Sequence, residues 1–378
     1  MRIPRVLAIV LAGGEGSRLG ALTDHRTKPA VRVAGSYRLI DVALSNLANS
    51  HVRDVWIVEQ FLPHALNEHL SNGRPWDLDR THAGLRILAP FTGGTGEGFP
   101  EGNSDSLWHF RQQIASFDAE LVLVLSADHL FTMNLTDVVD THQQAGADLT
   151  MVTTRHDGDA SRYGVVKVGT KGRVEEFWYK PEEPPTDLVV TETFCFSGPA
   201  LLEALENLGG DEGDLSDYGE DLIPYFIDKH TVVEHRLEGY WQDIGTLSAY
   251  WRSHMELLDG TGVELDDPDW PILTAPPQLV PARLAGGAVV ADSMLASGAV
   301  VRGTVRHSVL APRVIVEEGA VLEDCVVLDG VRIGKGVHLS GCIVDEGAQL
   351  TGPLEAGTNG CVTLIDGAGD VVRTEQID

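Results

Sequence analysis

Val309, Ile315, Val321, Val327, Ile333 and Leu339 recur at a strict interval of six residues, and Gly and Asp punctuate the stretches between them. Such a period belongs neither to an amphipathic helix nor to a hairpin strand with its two-residue alternation. It matches the hexapeptide repeat of a parallel β-helix, where each aliphatic residue fills the same inner position of a successive short edge. An ordinary β meander rarely keeps such spacing. Residues 279–354 are therefore expected to form a left-handed parallel β-helix. The series breaks at Asp345, and the tail 355–378 has no clear period, which predicts a final strand or a loose end.

Residues 1–250 have a different pattern. Val6–Ala12, Val55–Val58, Leu121–Ser126 and Leu149–Thr153 are continuous apolar runs that read as buried strands. Between them lie amphipathic stretches such as Leu39–Ala48 and Leu107–Phe117. Buried strands alternating with helices predict an α/β domain with a Rossmann-like, mostly parallel sheet covered on both faces. Residues 251–278, rich in Asp, Gly and Pro from 259 onward, read as an interdomain linker. Residues 91–102 carry five glycines and are expected to form a mobile loop.

Composition narrows the function. The 378 residues hold 28 Lys and Arg against 56 Asp and Glu, a formal charge of −28. That balance argues against nucleic-acid binding, which needs a basic face, but a local cluster of cations can still hold a phosphorylated substrate. Cys195, Cys325, Cys342 and Cys361 form no CxxC pair, so neither a zinc site nor a disulfide framework is expected, and a reducing, cytoplasmic location is. No apolar run reaches the ~18 residues needed to span a bilayer. Arg2 and Arg5 before Val6–Ala12 resemble a signal peptide superficially, but the run enters Gly13-Gly14-Glu15-Gly16 rather than a small-residue cleavage site.

That glycine turn, Leu11-Ala12-Gly13-Gly14-Glu15-Gly16-Ser17-Arg18-Leu19, follows a buried strand. Backbone N–H groups without a Cβ in the way let phosphates approach closely. No Gly-Lys-Ser/Thr follows, so it is not a Walker A loop; Gly14, Gly16 and Gly20 do not make the dinucleotide spacing either. Arg18 adds a planar fork for phosphate oxygens and Lys28 a second cation. Asp128 follows the strand Leu121–Leu125, at the end where open parallel sheets bind ligands. A carboxylate there suits a magnesium ion bridging phosphates or, alternatively, a plain turn. Asp243, in Trp241-Gln242-Asp243-Ile244-Gly245, is unremarkable by itself.

The stretch from Leu11 to Ser50 resembles the opening of the glucose-1-phosphate adenylyltransferase family. The resemblance continues through Ser126-Ala127-Asp128-His129, Tyr163-Gly164-Val165, Asp217-Tyr218-Gly219-Glu220-Asp221-Leu222-Ile223-Pro224, Tyr240-Trp241-Gln242-Asp243-Ile244-Gly245-Thr246 and Asp269-Trp270-Pro271-Ile272. It implies that ATP and glucose 1-phosphate give ADP-glucose and pyrophosphate for glycogen or another α-glucan. It also implies that Mg2+ sits on Asp128 and Asp243, and that Arg18, Lys28 and Asp128 are the catalytic set. Leu11, Ala12, Gly13, Gly14, Gly16, Ser17, Arg18, Gly102 and Asp105 would lie on the nucleotide side. Gly164, Tyr179, Lys180, Asp217 and Asp243 would lie on the substrate side, with Lys180 holding the sugar phosphate. A homotetramer, or a hetero-oligomer, is the implied assembly.

Three segments depart from the family pattern. Tyr179-Lys180-Pro181 stands for Glu-Lys-Pro, Val190-Thr191-Glu192 for Ser-Met-Gly, and Pro100-Glu101-Gly102 begins a segment that normally opens Tyr-Arg-Gly. Lost sugar-directed hydrogen bonds can cost orders of magnitude in rate. The departures leave two alternatives: a pyrophosphorylase with another sugar or nucleotide preference, and a catalytically weak or inactive regulatory subunit. An acyltransferase using His307 or His338 on the β-helix is a third class, but it leaves the phosphate turn unexplained.

Overall fold

The computed structural model describes residues 4–13, 16–60, 62–89, 102–209, 215–275, 277–358 and 360–377. Gly14, Glu101 and all of the glycine-rich stretch 91–102 except Gly102 lie outside the described residues.

The first domain contains strands β1 (Val6–Ala12), β2 (Arg32–Val33), β3 (Tyr37–Arg38), β4 (Asp54–Glu59), β5 (Gly84–Leu88), β6 (Leu121–Ser126), β7 (His129–Phe131), β8 (Leu149–Arg155), β9 (Gly164–Val168), β10 (Val174–Tyr179), β11 (Leu188–Ser197), β12 (Val232–Arg236) and β13 (Trp241–Asp243). Its main sheet runs β10-β9-β11-β6-β1-β4-β5, with β8 on β11 and β12 on β8. The parallel block is β6-β1-β4-β5. The other half is mixed: β11 lies antiparallel to β6 and β8, and the short connection from β9 to β10 allows only an antiparallel pair.

Alternate residues of β1 feed two cores. Ala8, Val10 and Ala12 face helices α1 (Leu39–Asn49), α2 (Pro63–Leu70) and α5 (Leu135–Ala145). Leu7, Ile9 and Leu11 face α3 (Asn103–His109), α4 (Arg111–Phe117), α6 (Gly198–Gly209) and α7 (Leu222–Lys229). The stretch expected as one segment, Leu107–Phe117, breaks at Phe110 between α3 and α4. Helix α1 buries even Asp41, Ser45 and Asn46, because the Asp/Gly/Pro-rich segment after α8 (Leu247–Asp259) is strapped across it. Trp270 Nε1 donates to Asn46 Oδ1 at 2.9 Å, Leu273 N to Ser45 Oγ at 2.8 Å, and Asn49 Nδ2 to Pro271 O at 3.1 Å.

The last third is a three-walled parallel β-helix. One wall stacks β14 (Arg283–Leu284), β17 (Val300–Val301), β20 (Ile315–Val316), β23 (Arg332–Ile333) and β26 (Gln349–Leu350). The second stacks β15 (Val289–Ala291), β18 (Thr304–Arg306), β21 (Val321–Glu323), β24 (Val337–Ser340) and β27 (Leu354–Ala356). The third stacks β16 (Met294–Leu295), β19 (Val309–Leu310), β22 (Val326–Val327), β25 (Cys342–Val344) and β28 (Cys361–Ile365), and β29 (Val371–Gln376) closes it antiparallel to β28.

The register corrects the six-residue series. Val300 pairs with Ile315, Ile315 with Arg332 and Arg332 with Gln349, so these successive turns take fifteen, seventeen and seventeen residues rather than eighteen. The inward stack is Leu310, Val316, Leu322, Val327, Ile333, Leu339, Val344 and Leu350. Val309, Ile315 and Val321 are absent from it, while Val327, Ile333 and Leu339 belong to it. The corner between β21 and β22 is one residue short, and a one-residue shift moves a side chain to the opposite face. The break at Asp345 is the next short corner, and strands continue to Gln376.

The outward side chains of the third wall are also buried. Val326, Ile343, Val362 and Leu364 share a core with Leu19, Leu22 and Tyr250 of the first domain. A charged seam flanks this contact: Arg26 pairs with Asp345 at 2.9 Å and Arg32 with Asp329 at 2.6 Å.

Two outcomes follow from this packing. Ile333→Ala is expected to lower unfolding free energy by about 2–5 kcal/mol, and Ile315→Ala by less than about 1 kcal/mol, both read by urea denaturation; equal losses contradict the register. His254, fully buried in α8, accepts from Ala34 N–H through Nε2 at 3.1 Å and faces Tyr250 O through Nδ1 at 2.7 Å. Burial pushes its pKa down to about 4. A depressed histidine holds its stabilising neutral form above the unfolded value of about 6.5. Its contribution is therefore lost as pH falls from about 6.5 toward about 4, at ~1.4 kcal/mol per pH unit. His254→Gln is expected to flatten that part of the stability–pH curve.

Candidate active site

A cleft of about 610 Å³ opens at the carboxyl ends of β1 and β6 and is lined by groups from both halves of the sheet. Leu11 and Ala12 end β1 as buried residues, and Ser17 and Arg18 are exposed beyond the turn. Gly16 has φ 63°, and a Cβ there would lie 2.9 Å from Thr23 Cγ2 and 3.3 Å from Lys28 Cβ. Glycine is therefore required for both conformation and space. The Thr23 hydroxyl lies 3.0 Å from the carbonyl oxygens of both Gly16 and Gly20, which holds the turn curled. Gly13 lies under the Gln60 side chain, whose Nε2 donates to Ser106 Oγ at 2.7 Å. Ser106 Oγ in turn donates to Gly102 O at 2.9 Å. Gly102 and the first turn of α3 thus reach the glycine turn through Gln60. Asp105 is buried in that helix, 3.1 Å from His109 Nδ1.

The centre of the cleft is a charge cluster assembled by non-local pairing. Strands β7 and β13 form an antiparallel ribbon with Asp243 opposite His129, and Ile244 N donates to Asp128 O at 3.3 Å. The ribbon brings both aspartates to one ammonium. Lys28 Nζ lies 2.5 Å from Asp128 Oδ2 and 3.4 Å from Asp243 Oδ1. Ser126 Oγ donates to the other Asp128 oxygen. His129 Nε2 is 3.5 Å from Asp128 Oδ1 and 3.7 Å from Asp243 Oδ1, and its Nδ1 faces Thr191 O at 3.0 Å. Ligand atoms of Asp128, His129 and Asp243 all lie within 4.8 Å of one another.

Electrostatics follow from this geometry. Burial alone would lower the Lys28 pKa, but Asp128 and Asp243 outweigh it and raise it. Burial would raise Asp128, yet Lys28 and His129 hold it well below the usual carboxylate range. His129 is raised, because Asp128, Asp243 and Glu192 overcome its desolvation. Tyr163, also in the cleft, is pushed up to about 12 by burial and by Asp243.

On the opposite side, Tyr179 Oη donates to Asp217 Oδ2 and accepts from Lys180 Nζ. Lys180 Nζ lies 3.9 Å from the same Asp217 oxygen. The tyrosine ring covers Gly219, where a Cβ would come within 2.1 Å of it, and Gly164 is covered likewise by the Phe177 ring. Tyr179 thus connects Lys180 to a carboxylate on another element, Asp217. Val190 is buried. Glu192 sits at the register shift of β11 with φ 53°. That is the left-handed region that favours glycine, so the glutamate occupies glycine-like backbone. Its carboxyl is pushed up by burial and by Asp128 and Asp243, with His129 opposing.

The structure brings Arg18, Lys28, Asp128, Gly164, Tyr179, Lys180 and Asp243 to one cleft, with Asp217 bonded to Tyr179. Gly102 and Asp105 stand beyond it. His129, Tyr163, Glu192 and Gln60 were not among the residues assigned to the site from sequence. His129 had a signal, being adjacent to Asp128 at a strand end; Gln60 had none. The arrangement can hold a polyanion between a glycine turn and two cations, and its paired carboxylates can hold a hard divalent ion.

Residues 7–260 match the family model for nucleotidyl transferases, and residues 275–361 match that for the GlmU-like C-terminal hexapeptide. The chain is 40% identical over 292 residues to the glucose-1-phosphate adenylyltransferase of Thermomicrobium roseum, covering 76% of this chain and 68% of that one. The enzyme of the same name from Clostridium acetobutylicum is 36% identical over 76% of this chain and 77% of its own. That of Thermotoga maritima is 37% identical, over 76% and 69%. This chain belongs to the glucose-1-phosphate adenylyltransferase family. Among the described residues no helix is long and apolar enough to cross a membrane.

Proposed function

We propose that this protein transfers the adenylyl group of ATP to glucose 1-phosphate, giving ADP-glucose and pyrophosphate for α-glucan synthesis. The observation that carries the reading is the convergence of Lys28, Asp128 and Asp243 beside the glycine turn.

In this reading an oxygen of the sugar phosphate attacks the α-phosphorus of ATP in line, and the bond to the β-phosphate bridging oxygen breaks. No side chain forms a covalent bond, so the protein works by positioning and charge neutralisation. The backbone of Leu11–Gly13 and Gly16–Ser17 cradles the triphosphate, and Arg18 and Lys28 neutralise it and the departing pyrophosphate. Gly102 and Asp105 shape the nucleotide side. Gly164, Tyr179, Lys180 and Asp217 form the sugar side, where Lys180 turns from the Tyr179 hydroxyl to the sugar phosphate. Asp128 and Asp243 fit Mg2+: they are oxygen donors whose ligand atoms lie within 4.8 Å of one another. When bound, the ion would supply neutralisation of developing phosphate charge. His129 keeps both carboxylates oriented through Nε2 while Thr191 O anchors its Nδ1.

Purified protein with magnesium, a panel of nucleoside triphosphates and a panel of sugar 1-phosphates should release pyrophosphate fastest with ATP and glucose 1-phosphate. Release with UTP or GTP alone would keep the chemistry and reject the adenylyl assignment; no release with any pair would reject both. Asp128→Asn and Lys28→Ala are each expected to cut the rate on the order of 10²–10³-fold.

A further inference from the structure

The geometry points to a positioning role for the C-terminal hairpin: Arg373 and Glu375 on β29 hold the backbone that carries Arg18 and the backbone that follows Asp243. This rests on the reading above, in which Arg18 and Asp243 face the triphosphate.

The hairpin register sets Leu364 opposite Arg373 and Val362 opposite Glu375. Side chains two apart on a strand share a face, so these four point the same way. That face lies on the first domain. Val362 and Leu364 are fully buried in the core that contains Leu19 and Leu22, and a Cβ on Gly20 would stand 3.7 Å from Leu364 Cδ2. Arg373 Nη1 donates to the main-chain oxygen of Arg18 at 2.8 Å. Its Nη2 lies 3.0 Å from Glu375 Oε2, and Glu375 Oε1 accepts from Ser248 N at 3.1 Å. Ser248 is in the first turn of α8, whose N-cap Thr246 follows Asp243 closely in sequence.

The segment needs outside support. Residues 17–23 form a 3₁₀ stretch interrupted at Gly20 (φ 56°, ψ −135°) and entered through the left-handed Gly16. It lacks the ladder hydrogen bonds that fix β1, so the bond from Arg373 and the contact from Leu364 limit where the Arg18 main chain can lie. A charge-assisted bond to a carbonyl is directional, and misplacing a binding group slightly is enough to weaken it. Arg373 is partly exposed, so the expected effect is moderate. Arg373 and Glu375 touch neither substrate; they act through Arg18 and through the start of α8.

Full-length Arg373→Ala, Arg373→Lys and Glu375→Gln test this, with MgATP affinity measured by calorimetry alongside the KM for each substrate. Arg373→Ala is expected to weaken MgATP binding and raise the KM for ATP about three- to tenfold, while the KM for glucose 1-phosphate and the melting temperature stay unchanged. Glu375→Gln should shift the KM for ATP in the same direction by a smaller factor. Arg373→Lys should restore part of the loss, because an ammonium can still donate to the Arg18 carbonyl. Unchanged MgATP affinity in Arg373→Ala overturns the inference, as does an equal loss for both substrates with a lowered melt. A wild-type chain that binds MgATP without turnover, and loses that binding in Arg373→Ala, keeps the hairpin's role and rejects the adenylyl reading. A wild-type chain that binds no MgATP overturns both.

Discussion

One buried ammonium between two carboxylates holds the cleft together. Each group would be costly there alone: desolvating an ion costs several kcal/mol, and two unpaired aspartates would repel one another. At an effective dielectric constant of ~20, unit charges ~4 Å apart interact by ~4 kcal/mol. Lys28 is close to Asp128 and within reach of Asp243, and His129 Nε2 faces both carboxylates. The cluster therefore exists only as a set. Its members come from the short 3₁₀ turn Lys28–Ala30, the end of β6 and the β7–β13 ribbon, so forming it fixes three separate segments around one point.

The second domain is part of that arrangement rather than an appendage. The outward face of its third wall is buried against the first domain, and Arg26 and Arg32, which flank Lys28 in sequence, are engaged by Asp345 and Asp329, each at the corner that follows a strand of that wall. The segment that presents Lys28 is thus held from inside by the aspartates of the cleft and from outside by aspartates of the β-helix. Arg18 is held through its backbone by the closing hairpin. Both Lys28 and Arg18 are thus tied to where the C-terminal domain sits.

Much of this was legible in the sequence because it is written in local pattern. Val6–Ala12 and Leu121–Ser126 are β1 and β6 to the residue, since strands buried on both faces carry continuous apolar runs. The hexapeptide period announced a β-helix, but turns of fifteen and seventeen residues rather than eighteen can only be read once strands are paired, so half of the series was placed on the wrong face. The break at Phe110 carries no proline or glycine to mark it. The tail 355–378 showed no period because β29 presents mostly exposed, polar side chains and only its pairing with β28 gives it order. In the site, Arg18, Lys28 and Asp128 lie on recognisable turns, whereas Asp243 was legible only through the family resemblance and faces His129 only because β7 pairs with β13. Tyr179 looked like a lost acceptor; its bond to Asp217 spans 38 positions of sequence and has no local signature.

The most direct test is a crystal structure of the full chain with magnesium, a non-hydrolysable ATP analogue and glucose 1-phosphate. The account predicts a divalent ion contacting both Asp128 and Asp243, with Lys28 Nζ and the Arg18 guanidinium on phosphate oxygens. Phosphates bound elsewhere, with Lys28 still bridging the two aspartates and no ion between them, would contradict it.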